Sequence, residues 1–133
     1  MRVNRIDHIN LRTSLLEETS TFYENLLGLK RGRAAGMDQS RNAWLYDEEG
    51  RPIVHVNMPA DGERELPGED TGRVHHIALD CTGYDTMIAR LDDLQQAYQS
   101  NVIAELGLRQ LFVMDPNGLR LELNFWPETV STT

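Results

Sequence analysis

The sequence predicts an α+β fold made of two βαβββ modules, and three features of its pattern support this. Residues 5–11 and 73–79 share the same alternation of apolar side chains, and aligning them superposes His8 on His76. Each of these strand-like segments precedes apolar residues at helical spacing, and each copy then closes with two strand-like segments around a turn. We place module 1 at about residues 3–58, a linker at 59–72 and module 2 at about 73–127.

The helix of each module is predicted from apolar residues that recur every three or four positions. In the first module, Ser14 and Glu17 have the spacing of a capping box, which predicts where the helix begins. The same spacing joins Thr82 to Asp85 in the second module. Gly28 predicts the end of the first helix, because glycine readily adopts the left-handed conformation found there. The residues at helical spacing are Leu15, Thr19, Phe22, Tyr23 and Leu26, and then Met87, Ile88, Leu91, Gln95 and Tyr98.

The strands that close each module are predicted from apolar and aromatic segments on either side of a turn. The second turn, at residues 115–118, is the better specified of the two. Pro116 fixes φ at its second position, and Gly118 accepts the conformation that follows. The flanking segments are residues 44–46 and 53–56 in module 1, and residues 111–113 and 119–123 in module 2.

The composition is that of an ordinary globular chain, and it excludes several classes of function. Of 133 residues, 40% are hydrophobic and 26% are charged, and the net charge is -8 at pH 7. Nucleic-acid binding relies on Lys and Arg that neutralise phosphates, so we expect a small-molecule or protein partner instead. No segment has the roughly 18 apolar residues of a membrane span, and the first residues lack the apolar core of a signal peptide. Cys81 is the only cysteine, so we expect no intrachain disulfide and a cytoplasmic location.

Side chains alternate between the two faces of a strand, so the first and last strands of each module have an apolar and a polar face. The apolar faces are formed by Ile9 and Leu11, Val54 and Val56, Ile77 and Leu79, and Leu121 and Leu123. The opposite faces carry His8 and Asn10, His55 and Asn57, His76 and Ala78, and Arg120, Glu122 and Asn124. One interpretation is that the polar faces simply meet water, as in many antiparallel sheets.

The histidines argue for chemistry on the polar faces rather than for solvation alone. The chain has four histidines, and three of them, together with Glu122, occupy equivalent places in the two repeats. Two histidines and one carboxylate form a facial metal site with open positions for substrate, which points to His8, His76 and Glu122 as ligands. His75 has the parity of the apolar face, and we expect it to be structural.

These motifs resemble the vicinal oxygen chelate superfamily, which includes glyoxalase I, bleomycin-resistance proteins and extradiol dioxygenases. The resemblance covers nearly the whole chain and is carried by residues 6–9, 22–29, 75–79 and 115–122. It implies the glyoxalase/bleomycin resistance/dihydroxybiphenyl dioxygenase fold, with metal positions on the first and last strands of each module. Those positions are held here by His8, His55, His76 and Glu122.

The resemblance implies a divalent-metal-dependent enzyme for a small substrate with vicinal oxygens, and it leaves the reaction open. Extradiol dioxygenases use a His, His, Glu set with Fe(II) or Mn(II). Glyoxalase I-like lyases and isomerases use Ni(II), Co(II) or Zn(II), and add a carboxylate base where this chain has His55. We place extradiol-like cleavage first because that carboxylate is missing, although Phe112 replaces the signature tyrosine and residues 103–105 lack the upstream histidine.

Two further functions stay open, namely a metal-free binding protein like the bleomycin-binding members, and a scaffold with vestigial histidines. Within the enzyme reading, His55 is a candidate acid–base residue or fourth ligand. Arg120, Asn57 and Asn124 share the polar face and are candidates for orienting the substrate. Superfamily members pair their modules within or between chains, and a short two-module chain leaves sheet edges exposed, so we expect a homodimer.

Overall fold

A computed structural model describes residues 1–65 and 70–128, and the chain divides into two compact units, at residues 1–68 and 69–133. Each unit has the βαβββ order, which confirms the predicted fold. The division falls within the predicted linker 59–72, of which residues 66–69 lie outside the described residues, and the exact module boundaries stay a prediction. Within the described part of the chain, no helix is long and apolar enough to cross a membrane.

The elements of the first unit are β1 (Ile9–Arg12), α1 (Leu16–Leu27), β2 (Lys30–Gly32), β3 (Asn42–Tyr46) and β4 (Pro52–Asn57). Those of the second unit are β5 (His76–Asp80), α2 (Tyr84–Asp93), β6 (Gln99–Ile103), a short 3-10 helix (Ala104–Leu106), β7 (Leu108–Met114) and β8 (Arg120–Phe125). The described residues of each unit therefore form one four-stranded sheet and one α-helix.

The two sheets have the same topology, which makes their polar positions comparable. The strand orders are β1-β4-β3-β2 and β5-β8-β7-β6, with the first pair parallel and the others antiparallel in each sheet. Asn10 pairs with His55, and Ala78 pairs with Glu122. Asn10 and Ala78 each lie two residues after the histidine of their repeat. His55 and Glu122 therefore occupy equivalent positions, as the repeat predicts.

The apolar faces of the closing strands form the cores of the units. In β8, Leu121 and Leu123 are fully buried, whereas the alternate residues are only half-buried. In β4, Val54 and Val56 are buried as well, and His55 between them is buried on the opposite face. Burial of each such side chain contributes about 2 kcal/mol, so the alternation determines which face of the strand is turned inward. Helix α1 packs against β2, β3 and β4, and Tyr23 is buried as expected.

Both predicted capping boxes are wrong. Helix α1 begins at Leu16 with Leu15 at the N-cap position, and no side chain caps it. The backbone N–H groups just before the helix have other partners, because Leu15 donates to Oγ1 of Thr13 and Ser14 donates to Oε1 of Glu65. In the second unit Gly83 occupies the N-cap position of α2 with φ of 86°, so Thr82 is not the cap.

Three other predicted boundaries can be compared with the structure. Strand β1 begins only at Ile9, so His8 directly precedes it instead of lying inside it. Helix α2 ends at Asp93, and Gln95 has φ of 52°, so Gln95 and Tyr98 lie beyond the helix that was predicted to include them. Gly28 does end α1 in the left-handed conformation, with its N–H donating to the carbonyl of Glu24.

The turn at residues 115–118 forms as predicted, and Asp115 stabilises it. Oδ1 of this buried aspartate accepts hydrogen bonds from the backbone N–H groups of Asn117 and Leu119, both at 2.8 Å. Gly118 takes φ of 79° and donates its N–H to the carbonyl of Asp115. These bonds connect β7 to β8 and fix the register that places Glu122 opposite Phe112.

Candidate functional site

In the first unit, His55 is held between two asparagines on the polar face of the sheet. Its Nδ1 accepts a hydrogen bond from Nδ2 of Asn10 at 2.9 Å, and its Nε2–H donates to Oδ1 of Asn42 at 2.9 Å. An amide oxygen only accepts and an amide nitrogen only donates, so the two partners specify one tautomer of a neutral imidazole. The residue is 8% exposed.

The ring of His55 is also fixed by Trp44, its direct partner across β3 and β4. The two rings stack with 4.2 Å between centroids and 10° between planes. His8 contacts the same indole in an edge arrangement, with centroids 4.9 Å apart. Trp44 therefore links the two histidines of this unit.

Burial lowers the pKa of His55 below its ordinary value, and the electrostatic interaction with His8 lowers it further. Removing an imidazolium from water disfavours the charged form. His55 is therefore neutral near pH 7, in agreement with its hydrogen-bond partners.

We expect the free energy of unfolding to fall as the pH decreases below 6.5, the ordinary pKa of histidine. There the unfolded chain protonates His55 while the folded chain keeps it neutral, so the unfolded state binds more protons. Stability present above pH 6.5 is therefore lost as the pH falls towards the folded pKa. Urea unfolding of the wild-type and His55→Gln proteins at a series of pH values measures this loss, which the variant should lack.

His75→Gln provides the matched control for this prediction, because His75 is exposed and lies in the other unit. That variant should retain the loss of stability at low pH. If the wild-type and His55→Gln proteins lose stability equally over this range, His55 is not the group responsible.

His8 lies just before β1, and only one of its ring nitrogens is engaged. Nδ1 is 2.7 Å from Oδ2 of Asp7 and donates a hydrogen bond to that carboxylate. Among the described residues, Nε2 has no hydrogen-bond partner. A carboxylate that accepts the second N–H of a histidine is a common arrangement behind a metal ligand.

His76 has a similar arrangement at the start of β5. Its Nδ1 lies 2.8 Å from Nδ1 of His75, and the two rings are nearly perpendicular. The parity argument for His75 does not apply, because the strand begins only at His76. Nε2 of His76 likewise has no partner within residues 1–65 and 70–128.

Glu122 lies on the polar face of β8 with one carboxylate oxygen engaged. Oε2 accepts a hydrogen bond from Nδ2 of Asn124 at 3.0 Å. Arg120 also lies on this face, next to His76 across the parallel pair, and its guanidinium is 4.5 Å from the centre of the Phe112 ring. The cation therefore stacks on the phenyl group and forms no ion pair with Glu122.

Asn57 is the remaining predicted substrate residue. It is half-buried at the end of β4, opposite Asn42 on one side and Arg12 on the other. Its Oδ1 is buried and has no hydrogen-bond partner within the described part of the chain. Such an atom is costly unless a water or ligand donates to it.

The donor atoms present fit a divalent metal, although the described residues of neither unit form a complete site. Within residues 1–65 and 70–128, no three His, Cys, Asp or Glu side chains come together as a metal-binding group. His8, His76 and Glu122 nevertheless share one property: each has one polar atom fixed by a neighbour and a second donor atom left over. His55 differs, because both of its ring nitrogens are engaged.

Sequence reasoning assigned no role to four residues that shape these faces, namely Asn10, Asn42, Trp44 and Gln110. Asn10 was placed on the polar face by parity alone. The same parity argument applied to β3 and β7 would have placed the other three there as well, because each is paired with a polar-face residue of β4 or β8. Their hydrogen bonds and stacking depend on strand register, which the sequence pattern did not specify for β3 and β7.

Comparison with known proteins adds a family and several relatives. A sequence model of the Glyoxalase/Bleomycin resistance protein/Dioxygenase superfamily matches residues 5–123. "Glyoxylase I 4" of Arabidopsis thaliana is 23% identical over 92% of this chain and 71% of its own length.

Solved structures share the fold at low sequence identity. A glyoxalase/dioxygenase from Nostoc punctiforme has a TM-score of 0.69 and 19% identity, covering 94% of this chain and 92% of its own. A lactoylglutathione lyase from Agrobacterium tumefaciens has a TM-score of 0.68 and 16% identity, covering 94% of this chain and 96% of its own. At these identities the likeness concerns the fold alone.

Proposed function

This chain belongs to the Glyoxalase/Bleomycin resistance protein/Dioxygenase superfamily, and on that basis we propose that it is a divalent-metal-dependent enzyme for a small substrate with two adjacent oxygens. The observation that best supports the proposal is a hydrogen-bonding property that the three candidate ligands share. His8, His76 and Glu122 each have one atom fixed by a hydrogen bond and another available for coordination.

The proposed ligand set takes His8 from the first unit and His76 and Glu122 from the second, either within one chain or across a dimer. Two neutral imidazoles and one carboxylate leave a divalent ion with net positive charge and open positions. Such an ion lowers the pKa of a bound hydroxyl or polarises a bound carbonyl. The hydrogen bond from His8 to Asp7 orients the imidazole and increases its basicity.

The other polar residues supply binding and positioning in this proposal. Both ring nitrogens of His55 are engaged, which favours a positioning role over its use as a fourth ligand or as an acid–base residue. Arg120 presents a cation beside Glu122 that can attract an anionic substrate oxygen. Oδ1 of Asn57 can accept a hydrogen bond from the substrate. The side-chain amide of Asn124 is hydrogen-bonded to two protein neighbours, which supports a positioning role instead of substrate contact.

We place extradiol-like oxidative cleavage with Fe(II) or Mn(II) first among the reactions. A lyase or isomerase would need a base at the position of His55. Here burial lowers the pKa of that imidazole, which makes it a weaker base, and Asn10 already donates a hydrogen bond to the nitrogen that would have to take the proton. Cleavage of a vicinal diol by oxygen does not require a base at this position.

A glyoxalase-like lyase or isomerase using Ni(II), Co(II) or Zn(II) is the second candidate. It is supported by the names of two related proteins, a glyoxylase I and a lactoylglutathione lyase. It is also supported by Phe112, which pairs with Glu122 and has no phenolic proton to donate where the extradiol signature has tyrosine.

One pair of assays on purified protein without a histidine tag distinguishes the two reactions. After anaerobic reconstitution with Fe(II), we expect oxygen uptake with catechol-type substrates. Turnover of a thiol adduct of an α-ketoaldehyde with Ni(II), Co(II) or Zn(II), without oxygen uptake on a broad panel of vicinal diols, would reverse the order. Protein that binds no stoichiometric metal would favour the metal-free binding protein or the scaffold instead.

We further propose a homodimer in the cytoplasm. Strands β2 and β6 lie at the sheet edges, and all five residues of β6 are exposed, so this edge can pair with another chain. A single cysteine, whose thiol pKa burial raises to about 11, suits a reducing compartment. Light scattering at micromolar concentration should give the mass of two chains, and the mass of one chain would contradict this.

If the dimer forms, mixing two inactive variants will show where the site lies. His8→Ala and Glu122→Ala chains each lack one proposed ligand. Random reassociation makes half of the dimers mixed, and a site shared between chains is then intact once in each of them. Recovery of about a quarter of the wild-type activity therefore indicates shared sites, and no recovery indicates sites within single chains.

A further inference from the structure

We propose that Gln110 is a positioning residue that fixes the carboxylate of Glu122 through Asn124. The inference rests on the proposed function, in which Glu122 is a metal ligand. Asn101, Gln110 and Asn124 lie side by side on β6, β7 and β8, and we call these three residues the amide row. Glu122 lies two residues before Asn124 and on the same face of β8.

The hydrogen bonds along the amide row run in one direction. Nδ2 of Asn101 donates to Oε1 of Gln110 at 2.8 Å, and Nε2 of Gln110 donates to Oδ1 of Asn124 at 3.0 Å. Nδ2 of Asn124 then donates to Oε2 of Glu122 at 3.0 Å. Successive amide dipoles that point the same way strengthen one another, so the last donor is polarised towards the carboxylate.

The carboxylate itself determines this direction. An ionised carboxylate only accepts hydrogen bonds, so Asn124 must turn its nitrogen towards Glu122 and its oxygen towards Gln110. Gln110 must then donate, which leaves its own oxygen to face Asn101. Reversing Gln110 alone would bring nitrogen against nitrogen and oxygen against oxygen at its two ends. Each amide is thus fixed by its neighbour nearer Glu122.

Gln110 is the residue that maintains this orientation of Asn124, because it is the buried member of the amide row. It is 7% exposed, while Asn101 is exposed and Asn124 is half-buried. A buried primary amide is costly unless its oxygen and nitrogen are both bonded, and here both are. Water cannot easily replace Gln110 as the donor to Asn124.

The first unit shows that the amide row is not a necessary product of the fold. The equivalents of Gln110, Asn124 and Glu122 are Asn42, Asn57 and His55. There the hydrogen bond runs the other way, from Nε2–H of His55 to Oδ1 of Asn42, and Oδ1 of Asn57 has no partner among the described residues. The continuous row accompanies the carboxylate and is absent where an imidazole stands in its place.

The consequence for Glu122 is a fixed side chain with one free oxygen. Oε2 is engaged by Asn124, and Oε1 has no hydrogen-bond partner within the residues that the structure describes. A ligand whose rotamer is already set loses less conformational freedom when it coordinates a cation. Residues that hold a ligand in this way typically contribute about 10-fold to 100-fold in metal affinity.

The first test measures Mn(II) affinity of wild-type, Gln110→Met and Gln96→Met proteins by electron paramagnetic resonance. Methionine keeps the length of glutamine and removes the amide, and Gln96 lies outside the sheets in the same unit. We expect about 10-fold weaker binding for Gln110→Met, with unchanged stoichiometry, and wild-type affinity for Gln96→Met. Equal affinity of folded Gln110→Met and wild-type proteins would overturn the proposal.

The second test uses metal-free protein, so it is independent of the proposed function. Side-chain NMR couplings of Glu122 should report one rotamer in the wild type and averaging in Gln110→Met, with faster exchange of the Asn124 amide protons. Asn101→Ala, at the exposed end of the row, should shift both readouts in the same direction by less. A single Glu122 rotamer in both variants would overturn the proposal, even if the wild-type protein binds no metal.

Discussion

Replacing Glu122 with alanine should abolish stoichiometric binding of a divalent metal while the chain still folds. An open metal site needs at least three protein ligands, and the proposed set has three. Glu122 is only half-buried on the polar face of β8, so its loss leaves the apolar face formed by Leu121 and Leu123 intact. Metal analysis after desalting should give about one ion per site for the wild type and none for Glu122→Ala.

Two adjacent histidines provide a second test of the ligand set, with a matched control. His75→Ala and His76→Ala remove the same side chain from neighbouring positions, and only the second removes a proposed ligand. We expect His76→Ala to lose the metal and His75→Ala to keep it, with some loss of affinity because His75 contacts the ring of His76. Tight binding by Glu122→Ala would remove Glu122 from the ligand set.

The βαβββ order could be predicted from sequence because its signals are local or repeated. Alternation in residues 119–123 depends only on which side chains prefer burial, and the structure buries Leu121 and Leu123 as expected. The turn at residues 115–118 was also predictable, because Pro116 and Gly118 restrict the backbone themselves. Neither inference required knowledge of a distant residue.

The predicted helix starts were wrong because the residues that determine them are distant in sequence or have an unusual backbone conformation. The N–H of Ser14 bonds to Glu65, a residue 51 positions away that no local motif indicates. Gly83 begins α2 from a left-handed conformation, which the capping-box spacing of Thr82 and Asp85 does not encode. Tertiary hydrogen bonds and glycine conformations therefore determined these ends, while the apolar spacing predicted that helices exist.

For the candidate site, the sequence predicted on which face of the strands the residues lie. It did not predict which of their polar atoms are hydrogen-bonded. The repeat aligned His55 with Glu122, and the sheet pairing bears this equivalence out. Their difference arises from amide neighbours: two asparagines occupy both nitrogens of His55, whereas the amide row leaves one oxygen of Glu122 free. These neighbours lie on other strands, so only the strand register could show them.

Replacing Trp44 with alanine should destabilise the protein by roughly 2 kcal/mol, below the usual cost of truncating a fully buried aromatic residue, because Trp44 is only half-buried. The indole stacks on His55 and packs in an edge arrangement with His8, so its loss removes contacts from both rings. Both imidazoles should then become mobile. We expect weaker metal binding in the folded variant, measured together with urea unfolding at pH above 7, where His55 is neutral.

Trp126→Ala is the control that separates this effect from the loss of any tryptophan. Trp126 is 52% exposed just after β8, so its removal should change stability by about 0.5 kcal/mol or less. Trp44→Phe should restore much of the stability, because a phenyl ring can still stack on His55. If Trp44→Ala is as stable as Trp126→Ala and binds metal like the wild type, the stacked rings do not hold His8 and His55 in place.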